Sequence, residues 1–185
     1  MGAICHTSDV ELREGLPELA ELLAMQPAIA LSFVISLDGQ LRGPDGSSRS
    51  LSDDTDLEFL RRLRASADVV VVGRRTAELE QYGPIRVREE FQVQRVAAGL
   101  DPEPTLVVVD RNGPTLDEIV RTYGPRVQLE AGIALHRLLA EHVERLWLSH
   151  APVVVGDAAA TFGGPLPPLR ERWIAADYVV SRFEY

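Results

Sequence analysis

The chain has 185 residues, of which 45% are apolar, 25% are charged and only 6% are aromatic. This length predicts one domain, and the apolar fraction is too high for a disordered chain. A formal charge of −9 argues against a surface that binds nucleic acid, because such surfaces neutralise phosphates with basic side chains. The single cysteine, Cys5, excludes a disulfide framework, and the apolar residues 26–37 are too few to span a bilayer, so we expect a cytoplasmic protein without membrane contacts.

The first part of the chain predicts a short helix followed by a buried strand. Gly15 and Pro17 interrupt any helix in residues 1–16, which we interpret as an extension that precedes the domain. Pro17 then begins a helix that Pro27 ends. The apolar residues 28–35 predict a strand that is mostly buried.

A polar, glycine-rich run up to Ser50 is either a disordered insertion or a functional loop. After it, Ser52 is the expected N-cap of a helix whose first turn is acidic and whose end is rich in arginine, which suits the helix dipole. We expect four apolar side chains to supply its buried side: Leu57, Phe59, Leu60 and Leu63.

The remainder of the chain alternates strands with helices. The predicted strands are residues 68–73, 105–109, 126–130, 146–148, 152–156 and 176–185. The predicted helices are residues 88–98, residues 116–122 behind a Thr115 cap, and one that opens at Ala131-Gly132. This alternation predicts an α/β fold whose sheet is parallel at least in its first part.

In an open α/β sheet, ligands bind beyond the carboxyl ends of the parallel strands. Four predicted strand ends carry residues that suit a ligand: Ser36-Leu37-Asp38-Gly39, Gly73-Arg74-Arg75-Thr76, Asp110-Arg111-Asn112 and Glu130-Ala131-Gly132. Each segment alone is explained by an ordinary turn or a tight strand exit. On successive strand ends they favour a phosphate-containing ligand, which arginine, hydroxyl and backbone amide groups bind well. The G-x-G-x-x-G fingerprint is absent, which argues against a Rossmann cofactor domain.

Several segments, taken in order, resemble one enzyme family. They are residues 36–39, the run Leu63-Arg64-Ala65-Ser66-Ala67-Asp68 that leads to Gly73 and Thr76, residues 129–132 and residues 152–156. From about residue 17 to the end, the chain resembles the riboflavin-pathway pyrimidine reductases. The resemblance implies a dihydrofolate-reductase-like fold in one α/β domain, residues 17–185. Such a domain has three layers, with a mixed, mostly parallel central sheet, helices on both faces and antiparallel C-terminal strands.

The resemblance also implies a reaction and a set of site residues. The reaction is the NADPH-dependent reduction of a phosphoribosylaminopyrimidine, with hydride transfer to the ribose C1′. Asp38 would be catalytic, and Ser36, Gly39 and Glu130 would contact the phosphorylated substrate. Seven residues would bind the cofactor: Gly73, Arg74, Thr76, Arg111, Asn112, Ala131 and Gly132. A homodimer that pairs through the late strands is expected, and no metal site, because the histidines show no ligand spacing.

Two departures from the family pattern bear on activity. Ala131 replaces the middle glycine of the family's E-G-G strand end, which adds a methyl group where the resemblance implies that the backbone and the pyrophosphate approach closely. Only residues 113–126 separate the strand end at Asp110 from the Glu130 strand, whereas the family usually has another strand and helix there. Two alternatives therefore stay open: a catalytically silent nucleotide-binding homologue, and a reductase of another pterin or pyrimidine.

Overall fold

The computed structural model describes residues 10–110, 112–130, 139–156 and 166–185. Within them, the strands are β1 (Glu11–Glu14), β2 (Ile29–Ile35), β3 (Val69–Gly73), β4 (Thr105–Val109), β5 (Val127–Glu130), β6 (Arg145–His150), β7 (Leu169–Ala175) and β8 (Tyr178–Glu184). The α-helices are α1 (Leu19–Ala24), α2 (Asp54–Ser66), α3 (Arg74–Leu79), α4 (Glu89–Ala97) and α5 (Leu116–Tyr123). Two short 3₁₀ helices are Arg49–Leu51 and Ala140–His142.

These strands form one sheet in the order β1-β7-β8-β6-β2-β5-β3-β4. The strands from β2 to β6 are mutually parallel where they pair, and β8 runs antiparallel to both of its neighbours, β6 and β7. The parallel strands therefore share one edge at which all their carboxyl ends lie. This mixed sheet with antiparallel C-terminal strands confirms the fold class that the sequence predicts.

The two faces of the sheet are covered by different helices. On one face, Phe59 and Leu63 of α2 pack with Trp147 of β6, and the Phe59 and Trp147 rings meet edge to face with centroids 5.4 Å apart. On the other face, Ile119 of α5 packs in a cluster with Leu146, which points the opposite way from its neighbour Trp147. Apolar side chains on both faces of one central sheet give the three expected layers.

Helix α2 differs from the sequence prediction at its start and on its buried side. Its N-cap is Asp53 rather than Ser52, and the Asp53 carboxylate accepts bonds from the backbone N–H groups of Thr55 (2.7 Å) and Asp56 (3.1 Å). Leu57 is 39% exposed rather than buried. It lies about 200° around the helix from Phe59, because successive residues turn by about 100°.

Two strands and one helix were not predicted from the sequence. Strand β1 lies within residues 1–16 and pairs with β7, so the structure joins this part of the proposed extension to the sheet. Both β1 and β7 are rich in charged residues, which form ion pairs with neighbouring strands. For example, Glu171 of β7 contacts Arg182 of β8 at 2.5 Å. Helix α3 follows directly after Gly73, between the predicted strand at residues 68–73 and the predicted helix at residues 88–98.

Residues 152–156, predicted as a strand, form no regular structure. Their backbone groups bond instead to the loop after β2, since the Leu37 N–H donates to the Val153 carbonyl at 2.8 Å. The predicted helix start at Ala131-Gly132 lies outside the described residues. Among the helices that the structure describes, none combines the length and apolar character needed to cross a bilayer.

Candidate active site

The carboxyl ends of β2, β3, β4 and β5 bring the predicted site segments to one edge of the sheet. The register pairs Gly73 with Val109 and Val72 with Glu130, so the ends of β3, β4 and β5 are level. Ser36 follows the last residue of β2 at the same edge. The predicted residues Arg111, Ala131 and Gly132 lie outside the described part of the chain.

Residues 36–40 form a tight turn at the end of β2. The Ser36 N–H donates to the Gln40 carbonyl at 2.9 Å, and the Gln40 N–H donates back to the Ser36 hydroxyl oxygen at 2.8 Å. Gly39 has a φ of +79°, which glycine adopts without steric cost. Ser36 is fully buried, whereas Asp38 is exposed at the tip of the turn. The turn thus presents the Asp38 carboxylate to the sheet edge.

The Asp38 carboxylate bridges two segments of the chain. It accepts a bond from the Ser36 hydroxyl at 2.5 Å and from the backbone N–H groups of Val155 (3.1 Å) and Gly156 (2.9 Å). The Ser36 hydroxyl and then these two N–H groups lower the pKa of Asp38 to about 2. The side chain is therefore an anion at neutral pH, which suits charge stabilisation and positioning rather than proton donation.

Glu130, at the end of β5, is enclosed by two side chains from other elements. The Arg64 Nε donates to one carboxylate oxygen and the Arg64 Nη2 donates to the other, both at 2.6 Å. The Tyr82 hydroxyl also donates to Glu130 and accepts a bond from the Arg64 Nη2 at 3.0 Å. Glu130 is only 7% exposed, so this cluster of Arg64, Tyr82 and Glu130 neutralises a buried carboxylate.

Two members of this cluster, Tyr82 and Arg64, have shifted pKa values. Burial and then the charge of Glu130 raise the pKa of the Tyr82 hydroxyl, which stays protonated. Burial alone would lower the pKa of Arg64, but its bonds to Glu130 outweigh that effect and raise it. Both carboxylate oxygens of Glu130 therefore already accept bonds from protein donors. A substrate that contacts Glu130, as the sequence predicts, would meet a carboxylate that is already paired.

Arg74 and Asp110 meet at the ends of the adjacent strands β3 and β4. The Arg74 Nη2 donates to the Asp110 Oδ2, and the Asp110 Oδ1 accepts from the Asn112 N–H at 2.9 Å. Thr76 follows two residues later in α3 and is half-buried. The predicted cofactor residues Gly73, Arg74, Thr76 and Asn112 are thus brought together, with Asp110 among them.

Three further polar residues had no predicted site role. Arg64 and Tyr82 form the Glu130 cluster, and Asp56 of α2 is 7% exposed beside the Ser52 hydroxyl, which donates to it at 2.6 Å. Burial raises the pKa of Asp56 above its ordinary value. Its spacing of three and seven residues from the buried Phe59 and Leu63 is the signal that could have located it.

A family model described as the RibD C-terminal domain matches residues 27–122, just over half of the chain. The chain belongs to this family. A 2,5-diamino-6-ribosylamino-4(3H)-pyrimidinone 5′-phosphate reductase of Archaeoglobus fulgidus is 30% identical over 86 residues. That match covers 46% of this chain and 39% of the relative, so the chain matches well under half of that curated protein.

Several solved structures share the fold. A pyrimidine reductase-like protein from Corynebacterium diphtheriae has a TM-score of 0.75 and 18% identity, and the match covers 91% of this chain and 98% of that one. A Thermotoga maritima diaminohydroxyphosphoribosylaminopyrimidine deaminase/5-amino-6-(5-phosphoribosylamino)uracil reductase has a TM-score of 0.66 and 14% identity, over 86% and 56% of the chains. A dihydrofolate reductase from Enterococcus faecalis, complexed with NADP(H), has a TM-score of 0.58 and 12% identity over 86% and 97%. The fold is therefore dihydrofolate-reductase-like.

Proposed function

We propose that this protein is a nicotinamide-dependent reductase that acts on a phosphoribosylaminopyrimidine of riboflavin biosynthesis. The observation that carries the proposal is the shared sheet edge, where Asp38, Glu130 and Arg74 lie at the carboxyl ends of three parallel strands in a chain of the RibD C-terminal domain family. The name of the Archaeoglobus fulgidus relative supports the same class of substrate. Both the uracil and the diaminopyrimidinone forms are candidate substrates.

The residues at the end of β3 fit a dinucleotide cofactor. Arg74 and Arg75 are both exposed and Thr76 is half-buried, so three residues that can bind phosphate follow directly after the end of β3. Such groups bind the phosphates of a dinucleotide. NADPH is the cofactor proposed on this basis. When bound, it would supply a hydride to the ribose C1′.

Asp38 and its partners provide the charge that this reaction needs. The carbon that accepts a hydride is electron-poor, and a neighbouring carboxylate stabilises positive charge that develops around it. Ser36 and the Val155 and Gly156 N–H groups hold Asp38 in one orientation and keep it ionised. At the end of the neighbouring strand β5, two hydrogen bonds from Arg64 hold the Glu130 side chain in place. The proton for the opening sugar ring would come from another group or from water.

The decisive experiment follows nicotinamide absorbance with each candidate substrate. Oxidation of the reduced cofactor with either phosphoribosylaminopyrimidine supports the proposal. Absence of oxidation with both substrates, at saturating concentrations of NADPH and of NADH, contradicts it.

A catalytically silent nucleotide-binding role is the second candidate. It is favoured by the short connection between β4 and β5, which holds α5 but no strand among residues 112–126, so that β4 is the last strand on that side of the described sheet. A ligand that binds only the folded state raises the melting temperature. Stabilisation by NADPH without its oxidation would therefore support this candidate over the reductase.

A homodimer is proposed to form through the late strands. Leu12 of β1 and Ile174 of β7 are 63% and 44% exposed at that end of the sheet. Exposed apolar side chains on adjacent strands favour a protein contact. Light scattering coupled to gel filtration tests this, and Ile174→Glu should shift a dimer toward the monomer mass. A monomeric wild-type protein at micromolar concentration would contradict it.

A further inference from the structure

Helix α3 has no buried side chain. It is six residues long, and helices this short are marginal in water unless an apolar face packs against the protein. Leu79, its one large apolar residue, is 70% exposed instead. At its start the backbone continues directly from β3, and Arg74 pairs with Asp110. The stability of α3 therefore depends on what holds its other end.

The far end of α3 is held first by Arg49, which comes from the loop after β2. The Arg49 Nε donates to the Glu80 Oε2 at 2.6 Å, and the Arg49 Nη2 donates to the Glu80 carbonyl at 3.2 Å. Arg49 begins the 3₁₀ helix that ends at the buried Leu51, whose carbonyl accepts a bond from the Tyr178 hydroxyl at 2.5 Å. An anchored turn is thus joined to the end of α3 by two bonds.

The second attachment is Tyr82, three residues after the end of α3. Its N–H donates to the Ala77 carbonyl at 2.9 Å, and Gln81 before it has a φ of +53°, the left-handed conformation that often ends a helix. A glutamine adopts this conformation only at a cost in free energy. The bonds of the Tyr82 hydroxyl to Glu130 and Arg64 hold this strained turn in place.

The two attachments lie beside the end of β5. In the sheet, β5 lies between β2 and β3, so the loop after β2 and the helix after β3 flank the end of β5, where Glu130 lies. The bonds between Arg49 and Glu80 join these two flanking segments, and Tyr82 reaches Glu130 itself. Residues 74–82 therefore form a strap along this part of the carboxyl edge.

We infer that the strap, residues 74–82, is a conformational switch that stays folded while Arg49 and Tyr82 hold it and unfolds locally when Arg49 releases Glu80. An exposed ion pair contributes little to stability, whereas hydrogen bonds to a buried carboxylate contribute more. The Arg49 attachment therefore opens first, and Tyr82 stays as the anchor. Local unfolding uncovers the end of β5, so the strap regulates access to the candidate site. This regulatory role rests on the proposed function, whereas the opening of the strap does not.

Hydrogen exchange of the full chain, resolved to single amides by NMR, measures this opening. The Glu80 and Tyr82 N–H groups report on it, because they donate to the carbonyls of Thr76 and Ala77 within the strap. Arg49→Gln should speed the exchange of both amides about threefold. Tyr82→Phe should speed it about tenfold. Amides in the middle of α2 should keep their wild-type rates in Arg49→Gln.

Glu103→Gln is the matched control for Arg49→Gln. It breaks the ion pair of Glu103 with Arg86, whose side chains are 29% and 73% exposed, against 27% and 67% for Glu80 and Arg49. This pair joins residues outside the strap, so its loss should leave the exchange of both amides unchanged. Tyr82→Phe also alters a buried cluster, so Arg49→Gln decides the inference. Wild-type exchange rates in Arg49→Gln, or an equal effect of Glu103→Gln, would overturn it.

The regulatory role is tested by the same exchange measurement with excess NADPH, whose binding is followed by nicotinamide fluorescence. Bound NADPH should slow the exchange of both amides about tenfold, because a ligand at this edge favours the folded strap. If NADPH binds without slowing exchange, the strap does not regulate the site and the reductase proposal stands. If NADPH does not bind, the proposed function and the regulatory role fail together, and the result for Arg49→Gln still decides whether the strap opens.

Discussion

Arg64 binds Glu130 with two parallel hydrogen bonds, each 2.6 Å long, that join helix α2 to the carboxyl end of β5. This geometry uses both carboxylate oxygens and two nitrogens of the guanidinium fork. The pair ties the helix on one face of the sheet to the edge where the candidate site lies. The contribution of this pair to the stability of the protein can be tested by substitution of Glu130.

Glu130→Gln should destabilise the protein by about 2–3 kcal/mol, because it leaves the mostly buried Arg64 guanidinium without a charged partner. Urea denaturation followed by circular dichroism measures this. Glu103→Gln, which breaks the exposed pair with Arg86, is the control and should change the free energy of unfolding by less than about 0.5 kcal/mol. Equal effects of the two substitutions would show that the Glu130 cluster has no special structural role.

Asp38→Asn should abolish turnover while unfolding stays cooperative, because the exposed side chain lies outside the core but carries the charge at the sheet edge. Ser36→Ala should reduce turnover less, since two backbone donors still hold the carboxylate. Steady-state rates and thermal melts of both variants provide the measurement. Full activity of Asp38→Asn would contradict the role of its charge.

The pH dependence of the reaction should lack an acid limb from Asp38. Its pKa of about 2 keeps it ionised throughout the range of ordinary assays. Since this pKa is lower in the folded state, Asp38 stabilises the fold above its ordinary pKa, and this contribution is lost as the pH falls toward 2. A rate profile from pH 4 to 8 tests the first statement, and an acid limb whose midpoint moves in Asp38→Glu would refute it.

Relative to the wild-type protein, Asp56→Asn should increase the free energy of unfolding more at pH 7 than at pH 4. Burial raises the pKa of Asp56, so its ionisation opposes folding and the wild-type protein loses stability as the pH rises through that pKa. An amide removes this loss and can still accept a bond from Ser52. Urea unfolding of both proteins at the two pH values measures the difference, which we expect to be about 0.5–1 kcal/mol.

Asp54→Asn provides the matched control for Asp56, because Asp54 lies on the same turn but is exposed. The negative charge of Asp54 interacts favourably with the positive, N-terminal end of the helix dipole, so Asp54→Asn should slightly reduce the stability of the protein at pH 7. If Asp56→Asn changed stability in the same way as Asp54→Asn, the burial of Asp56 would not be the cause of the pH-dependent difference.

Patterns among neighbouring residues predicted much of the fold and the sheet edge at which the candidate site lies. The run of valines in β3 and the capping box formed by Thr115 and Glu118 specify their elements through neighbouring residues alone, and both are present in the structure. The segments at the strand ends could be placed at one edge because parallel strands share their direction. Strand β7 escaped prediction because only alternate residues, such as Trp173, are buried among charged neighbours that pair with adjacent strands.

The sequence by itself therefore determined most of the element types, the family resemblance and several residues that lie at the carboxyl edge of the sheet. Only the tertiary structure decided their partners: Gly156 for Asp38, Arg64 for Glu130 and Asp110 for Arg74. Secondary structure depends on residues a few positions apart, whereas each of these contacts joins residues at least 36 positions apart. Such contacts depend on the strand order, and they set which side chains are charged, neutralised or accessible to a ligand.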